Sequence, residues 1–321
     1  MPTMMMLPPQ SDQTHEWAER LKRELPDYQI LVPESEDEAL EHLPGVDAGY
    51  GWLSPAMLEI AERFTWLQSP QAAPPDWFYY PELVESPINV TNMRGIYNDH
   101  IAQHIMMFVF GLARGLPYYM DAQRARQWKK DAQGFPTVDL KSATALIVGV
   151  GGIGQETAKL LQPCGTRVLG VDARWEWETP GVERHSPNEL DSLLPEADFV
   201  IVTLPHTPET EGMWNRDRFK KMKPTGYYIN IGRGMTTKLA DLADAIKAGE
   251  LAGAGLDVFD QEPLPEDHRL WTMDNVMLTP HIAVHDAPDV EERRYQVLRR
   301  NLEHFARGED LENLVDKTMW Y

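Results

Sequence analysis

Three polar residues stand directly after short apolar runs in the second half of the chain. They are Arg233 in YYINIGRGMTT, Glu262 in LDVFDQEPLP and His281 in LTPHIAVH. The apolar runs read as strands, so these side chains fall at or just past strand ends, where ligands bind in open α/β sheets. Glycines on both sides of Arg233 leave the backbone open, and a guanidinium can hold a carboxylate through two parallel hydrogen bonds. Pro263 and Pro265 stiffen the loop that carries Glu262. An imidazole paired with a carboxylate is an acid–base group whose partner fixes the ring. Singly, each residue also has an ordinary reading: Arg233 as a surface ion pair, Glu262 as a turn residue, His281 as a cap.

The second histidine of TPHIAVH, His285, lies four positions on, a spacing that would let two imidazoles share a metal on a helix. Pro280 and the preceding strand make this segment extended, and no third ligand of the right kind lies nearby. No metal site is expected, and His285 reads as a loop residue. The single cysteine, Cys164, excludes an internal disulfide and reads as packing.

The stretch GVGGIG adds a different chemistry. It follows an apparent strand, TALIV, opens a helical stretch, GQETAKLLQ, and is followed by a second strand, RVLGVD, ending in Asp172. In that context Gly149 permits the tight turn, Gly151 lets a pyrophosphate approach the backbone and Gly154 lets helix pack on strand. The helix N-terminus offers free N–H groups to the anion. A carboxylate at Asp172 would accept hydrogen bonds from ribose hydroxyls and repel a 2′-phosphate. NAD is therefore favoured over NADP, with Arg174 two residues on softening the preference. Behind such a fingerprint, Arg233, Glu262 and His281 are a chemically sufficient set for hydride transfer on a 2-hydroxy acid. The arginine would clamp the carboxylate, the histidine exchange the hydroxyl proton and the glutamate hold the imidazole.

The elements that must position these groups are legible as two series. Residues 1–98 alternate short apolar runs with helical stretches such as Ser11 to Leu25 and Ser35 to His42, and Ser54-Pro55 opens another helix. A helical stripe of Ile101, Ile105, Phe108, Val109 and Leu112 predicts one helix over 99–119. A second alternating series runs from ATALIV to VMLTP, and a long helix is expected from Pro288 to about Arg307. Alternating strands and helices imply βαβ units and parallel sheets, and at 321 residues the chain is long enough for two domains. A formal net charge of −20 repels phosphate backbones, so nucleic-acid binding is not expected. The longest apolar run, Ile105 to Ala113, is too short to cross a bilayer. MPTMMMLPPQ has neither a basic n-region nor a signal-type cleavage site, so a cytoplasmic chain is expected.

In its motifs and their order the sequence resembles the D-isomer-specific 2-hydroxyacid dehydrogenases over nearly its whole length. The likeness runs through WLQS at 66–69, PEL at 81–83, INVTNMRGIYNDHIAQH at 88–104 and GVGGIGQETAKLL at 149–161. It continues through VTLPHTPETEGM at 202–213, NIGRG at 230–234, LDVFDQEPLP at 256–265, TPHIA at 279–283 and GEDLENLVDK at 308–317. The resemblance implies a Rossmann-type doubly wound parallel-sheet domain over 99–282. It also implies a discontinuous flavodoxin-like α/β substrate domain over 1–98 and 283–321, with a site between domains that closes on binding. It implies that Arg233, Glu262 and His281 are the catalytic residues. For the cofactor it implies Gly149, Gly151, Gly152, Ile153, Gly154, Asp172, Arg174, Thr203, Leu204, Pro205, Ile231, Gly232, Asp257 and Ala283, with Asp257 near the nicotinamide carboxamide. A homodimer formed through the nucleotide domain is also implied, giving the helix over 99–119 an interface role.

One departure bears on substrate contacts. The loop after WLQS reads PQAAPPDWFYYPEL, with Ala73 where the family has glycine and with Pro74 and Pro75 offering no N–H. Ala72, Ala73 and Asp76 are the nearest candidates there, and Arg94 and Tyr97 are secondary ones. Trp77, Phe78, Tyr79 and Tyr80 read either as an apolar wall or as a packed loop core. Rival functions are an NADH-binding corepressor-like scaffold of the same fold without turnover and a phosphite dehydrogenase. Formate dehydrogenases pair the histidine with glutamine, and Glu262 speaks against them.

Overall fold

The computed structural model describes residues 1–72, 74–130, 135–175 and 178–318. They form two compact units, Met1–Ile96 with Pro288–Tyr321, and Tyr97–Ala287.

The first unit alternates β1 (Thr3–Met6), α1 (Asp12–Glu24), β2 (Gln29–Leu31), α2 (Glu36–His42) and β3 (Ala48–Tyr50). It continues through α3 (Pro55–Glu59), β4 (Trp66–Gln68), α4 (Pro81–Glu85) and β5 (Asn89–Thr91). All its strands pair in parallel in the order β2-β1-β3-β4-β5, the flavodoxin-like order. β1 is buried along its length, which is why it reads as an unbroken apolar run. Serine hydroxyls start the first three helices: Ser11 accepts from Thr14 N, Ser35 from Glu38 N and Ser54 from Met57 N. Each such cap is worth about 1 kcal/mol. The aromatic run after β4 divides. Phe78 and Tyr79 pack into the core and Tyr80 Oη donates to Leu53 O, while Trp77 stays 63% exposed, edge-on to Trp52. Phe78 and Tyr79 are thus loop core and not a wall.

The second unit opens with α5 (Asn98–Ala113) and α6 (Leu116–Arg124), followed by β6 (Thr144–Val148), α7 (Gly152–Leu161), β7 (Arg167–Val171) and β8 (Val182–His185). Then come α8 (Leu190–Leu193), β9 (Phe199–Val202), α9 (Arg216–Phe219), β10 (Tyr227–Asn230), α10 (Leu239–Lys247), β11 (Gly253–Leu256) and β12 (Val276–Leu278). The sheet is parallel throughout, in the order β12-β11-β10-β9-β6-β7-β8. Strand order reverses between β6 and β9, the position at which open doubly wound sheets bind ligands. Alternate side chains of each strand enter opposite cores. Leu146, Val148, Val200 and Tyr228 pack with α8 and α10, and Ala145, Ile147, Ile201 and Tyr227 with α5 and α7.

The helix expected over 99–119 is two helices. Gly115 takes a left-handed φ of 65°, and Pro117 in the first turn starts a new helix. After β12 the chain runs through turns and returns to the first unit in α11 (Val290–Arg307). That helix starts two residues past Pro288, after Asp289 with φ 63°. Among the described residues no helix is long and apolar enough to cross a membrane.

Candidate active site

The fingerprint turn sits where β6 ends. Gly149 has φ 97°, a region open to glycine and strained for other residues. A Cβ on Gly154 would lie 2.3 Å from Gly149 O, so α7 can approach the turn only without a side chain there. At Gly151, in contrast, a Cβ would meet nothing within 4 Å. No side chain caps the N-terminus of α7, which begins at Gly152 with Ile153 in its first turn. The result is an open glycine at the mouth of an uncapped helix, a cradle suited to a pyrophosphate.

Asp172 follows β7 directly. Its Oδ2 accepts from Val150 N at 2.6 Å and its Oδ1 from Arg174 N at 2.8 Å. The carboxylate is thereby fixed beside the turn, and each oxygen keeps capacity for another donor. Thr203, just past β9, closes the other side, its Oγ1 donating to Gly149 O at 2.5 Å. Leu204 is half-buried and Pro205 exposed.

Arg233 stands three residues past β10, on a turn built by buried Asn230. The Asn230 Oδ1 accepts from Gly232 N at 3.0 Å, and its Nδ2 donates to Arg233 O at 3.2 Å and Thr237 Oγ1 at 2.9 Å. Ile231 is buried and bonds through its N–H to Val202 O. Gly232 and Gly234 are required by close approach: their Cβ atoms would lie 2.4 Å from Leu204 O and 1.8 Å from Phe259 O. The Arg233 guanidinium donates to Gly232 O at 2.7 Å. Burial pulls its pKa below the ordinary arginine range, and the charge of Glu262 acts in the opposite sense.

Glu262 lies in the exposed loop after β11. Its Oε1 accepts from Phe259 N at 3.0 Å, and its Oε2 is 2.8 Å from His281 Nδ1. Both side chains are partly open to solvent. His281 follows β12 and takes φ 54°, a left-handed conformation that costs a non-glycine residue of order 1 kcal/mol. With Nδ1 donating to Glu262, Nε2 is the nitrogen left to meet a ligand. It has no partner among the described residues.

Asp257, the first residue past β11, is buried, 1% exposed. Its Oδ1 accepts from Thr279 Oγ1 at 2.6 Å and Ile282 N at 3.0 Å, and its Oδ2 from Ala283 N at 3.2 Å. A buried carboxylate is tolerated when saturated in this way. His285, by contrast, is exposed and pairs with Asp286 at 3.3 Å. Among the described residues, no group of His, Cys, Asp and Glu could hold a metal ion.

Arg233, Glu262, His281, Asp257 and the fingerprint all belong to the second unit, at the carboxyl ends of its strands. Tyr97, half-buried, directly precedes α5 in the same unit. Ala72 is half-buried and Arg94 exposed in the first unit. Ala73 and the Asp76 side chain lie outside the described residues. The sequence reading gave no role to Asn230, His104 or Thr279. Asn230 carried a signal, being a polar residue ending an apolar strand inside NIGRG.

A sequence profile described as D-isomer specific 2-hydroxyacid dehydrogenase, NAD binding domain, matches residues 106–283. A glyoxylate reductase of Thermofilum pendens is 36% identical over 243 residues, 74% of this chain and 70% of that protein. Among solved structures, a D-isomer specific 2-hydroxyacid dehydrogenase family protein from Aeromonas salmonicida is 31% identical. It superposes with TM-score 0.79 over 98% of this chain and 99% of its own. An NADPH-dependent glyoxylate/hydroxypyruvate reductase from Sinorhizobium meliloti, solved with NADP and sulfate, is 26% identical with TM-score 0.80, over 100% and 99% of the two chains.

Proposed function

The chain belongs to the D-isomer specific 2-hydroxyacid dehydrogenase family, an NAD(P)-dependent oxidoreductase of 2-oxo and 2-hydroxy acids, and from that premise we propose that it reduces a small 2-oxo acid with NADH. Glyoxylate and hydroxypyruvate, the acids in its relatives' names, are the first substrates to assay. The observation that carries the residue assignment is the 2.8 Å contact between His281 Nδ1 and Glu262 Oε2, within reach of the Arg233 guanidinium's field.

The cofactor is held, in this reading, by Gly149 to Gly154 and the N-terminus of α7 at the pyrophosphate. Asp172 takes the ribose, Thr203 to Pro205 flank the adenosine side, and Ile231, Gly232, Asp257 and Ala283 lie toward the nicotinamide. When bound, NADH supplies the hydride from its C4. Arg233 binds the substrate carboxylate with two hydrogen bonds and polarises the carbonyl. Protonated His281 gives its Nε2 proton to the carbonyl oxygen as charge builds there, and in oxidation the neutral ring takes it back. Glu262 holds the ring in the tautomer that leaves Nε2 outward and stabilises the imidazolium. Ala72, Arg94 and Tyr97 are the further substrate contacts proposed.

The Asp172 carboxylate, fixed beside the turn, favours NAD over NADP by repelling a 2′-phosphate. A cytoplasmic homodimer completes the proposal. Met107 and Phe110 on α5 and Leu116 and Met120 on α6 are large apolar side chains exposed within a short stretch of chain, which is what supports an interface there. Steady-state oxidation of NADH and NADPH with a panel of 2-oxo acids tests the reading. Turnover with at least one acid and a higher kcat/KM for NADH is expected. Tight NADH binding with no turnover on any acid would point to a scaffold instead.

A further inference from the structure

His104 is a buried titratable group that the proposed chemistry does not use. It lies within α5 with its side chain 13% exposed, and its Nε2 is 2.9 Å from Thr279 Oγ1. The Thr279 hydroxyl donates to Asp257 Oδ1 at 2.6 Å, so its one proton is committed and it accepts from His104. Nε2 of His104 therefore carries a proton. Burial pulls this imidazole below its ordinary range, with Asp257 acting the other way from 3.6 Å. That direction favours the neutral ring, and the Thr279 contact puts its proton on Nε2.

Sequence explains how the helix comes so close. A Cβ on Gly255 would lie 2.7 Å from the Phe108 ring, so glycine in β11 lets α5 seat directly on the strand. His104 lies one helical turn before Phe108, edge-on to it at 5.1 Å, and so reaches the strand's end at Asp257. Downstream, the Asp257 carboxylate holds the N–H groups of Ile282 and Ala283. Thr279 precedes His281 by two residues, and its carbonyl accepts from His281 N at 3.0 Å. The left-handed backbone of His281 is thus bracketed by the two groups that meet His104, the kind of over-determination that keeps a sparsely populated conformation in place.

We propose that His104 is a positioning residue: through Thr279 and Asp257 it fixes the backbone of residues 279–283 and with it the direction of the His281 imidazole. The inference rests on the acid–base role proposed for His281.

The test measures kcat and KM for NADH and glyoxylate in His104→Phe, His104→Gln, Thr279→Val, the Phe/Val double variant and His281→Ala. His104→Phe keeps the ring and loses the donor, and His104→Gln restores an N–H near the same place. A small misplacement of a reacting group lowers turnover about tenfold to a hundredfold. That fall in kcat is expected for H104F and T279V, and it should exceed any change in KM for NADH. The double variant should be no worse than the poorer single one, because both cut one chain, and H104Q should recover most of the loss. Wild-type kcat in H104F, no recovery in H104Q or multiplied losses in the double variant would each overturn the inference. Should H104F not fold, wild-type kcat in T279V overturns it alone. Failure of the His281 role is distinguishable: H281A would then keep its turnover, whereas an inactive H281A beside a fully active H104F removes only His104.

Discussion

At the scale of single residues, the account rests on three side chains with different tasks. Arg233 is held by its own turn, with its guanidinium donating to Gly232 O, and it is assigned the substrate carboxylate. Lysine at this position keeps the charge and loses the planar fork. Arg233→Lys should raise KM for the 2-oxo acid by about 10- to 100-fold, the worth of one charge-assisted hydrogen bond, while KM for NADH stays the same. An unchanged KM for the acid would remove Arg233 from substrate binding. What made these residues visible in the sequence is that each interrupts or follows an apolar run with a residue type that has no packing use there. His104 had no such signal. It is one polar position on an amphipathic helix, and its partners lie far along the chain, at Asp257 and Thr279. The left-handed backbone of His281 was equally hidden, because no residue type announces it.

At the scale of elements, the placement of the site depends on strands ending where polar residues begin and on glycines that let elements touch. β10, β11 and β12 stop at Asn230, Leu256 and Leu278; the apolar runs make the strands readable, but the first reads as running on to Arg233, three residues too far. The break between α5 and α6 was not read, although Gly115 followed by Pro117 marks a helix end and a new start in the sequence itself. The aromatic run after β4 shows a different limit: four adjacent rings look alike, yet Phe78 and Tyr79 pack inward while Trp77 faces solvent. Gly255 offers an element-scale prediction. Alanine there would place a methyl 2.7 Å from the Phe108 ring, and such overpacking typically costs about 1–3 kcal/mol. Gly255→Ala should lower the urea midpoint of unfolding and lower kcat together, by pushing α5 off β11. A double Gly255→Ala, Phe108→Ala loss smaller than the sum of the two single losses would confirm the contact, and an unaltered midpoint in the Gly255→Ala variant would argue that the helix yields freely.

At the scale of the whole molecule, the alternating pattern of the sequence was sufficient for two parallel-sheet units, because buried parallel strands and their covering helices leave strong apolar periods. Strand order was not readable from that pattern; the resemblance supplied only the fold class. Assembly is a separate matter of surface chemistry. Phe110, 48% exposed one turn after Met107 on α5, belongs to the proposed dimer face. Phe110→Glu should shift the sedimentation coefficient from dimer to monomer, since an unpaired charge in an apolar contact is costly. A wild-type protein already monomeric at micromolar concentration would remove the dimer from the account. The central claim, that this fold reduces a 2-oxo acid through His281, is tested most directly by the kcat of His281→Ala beside that of the wild type, with NADH binding followed by fluorescence. The account predicts a loss of at least ~10² in kcat at an unchanged Kd for NADH, and near-normal turnover in the variant would contradict it.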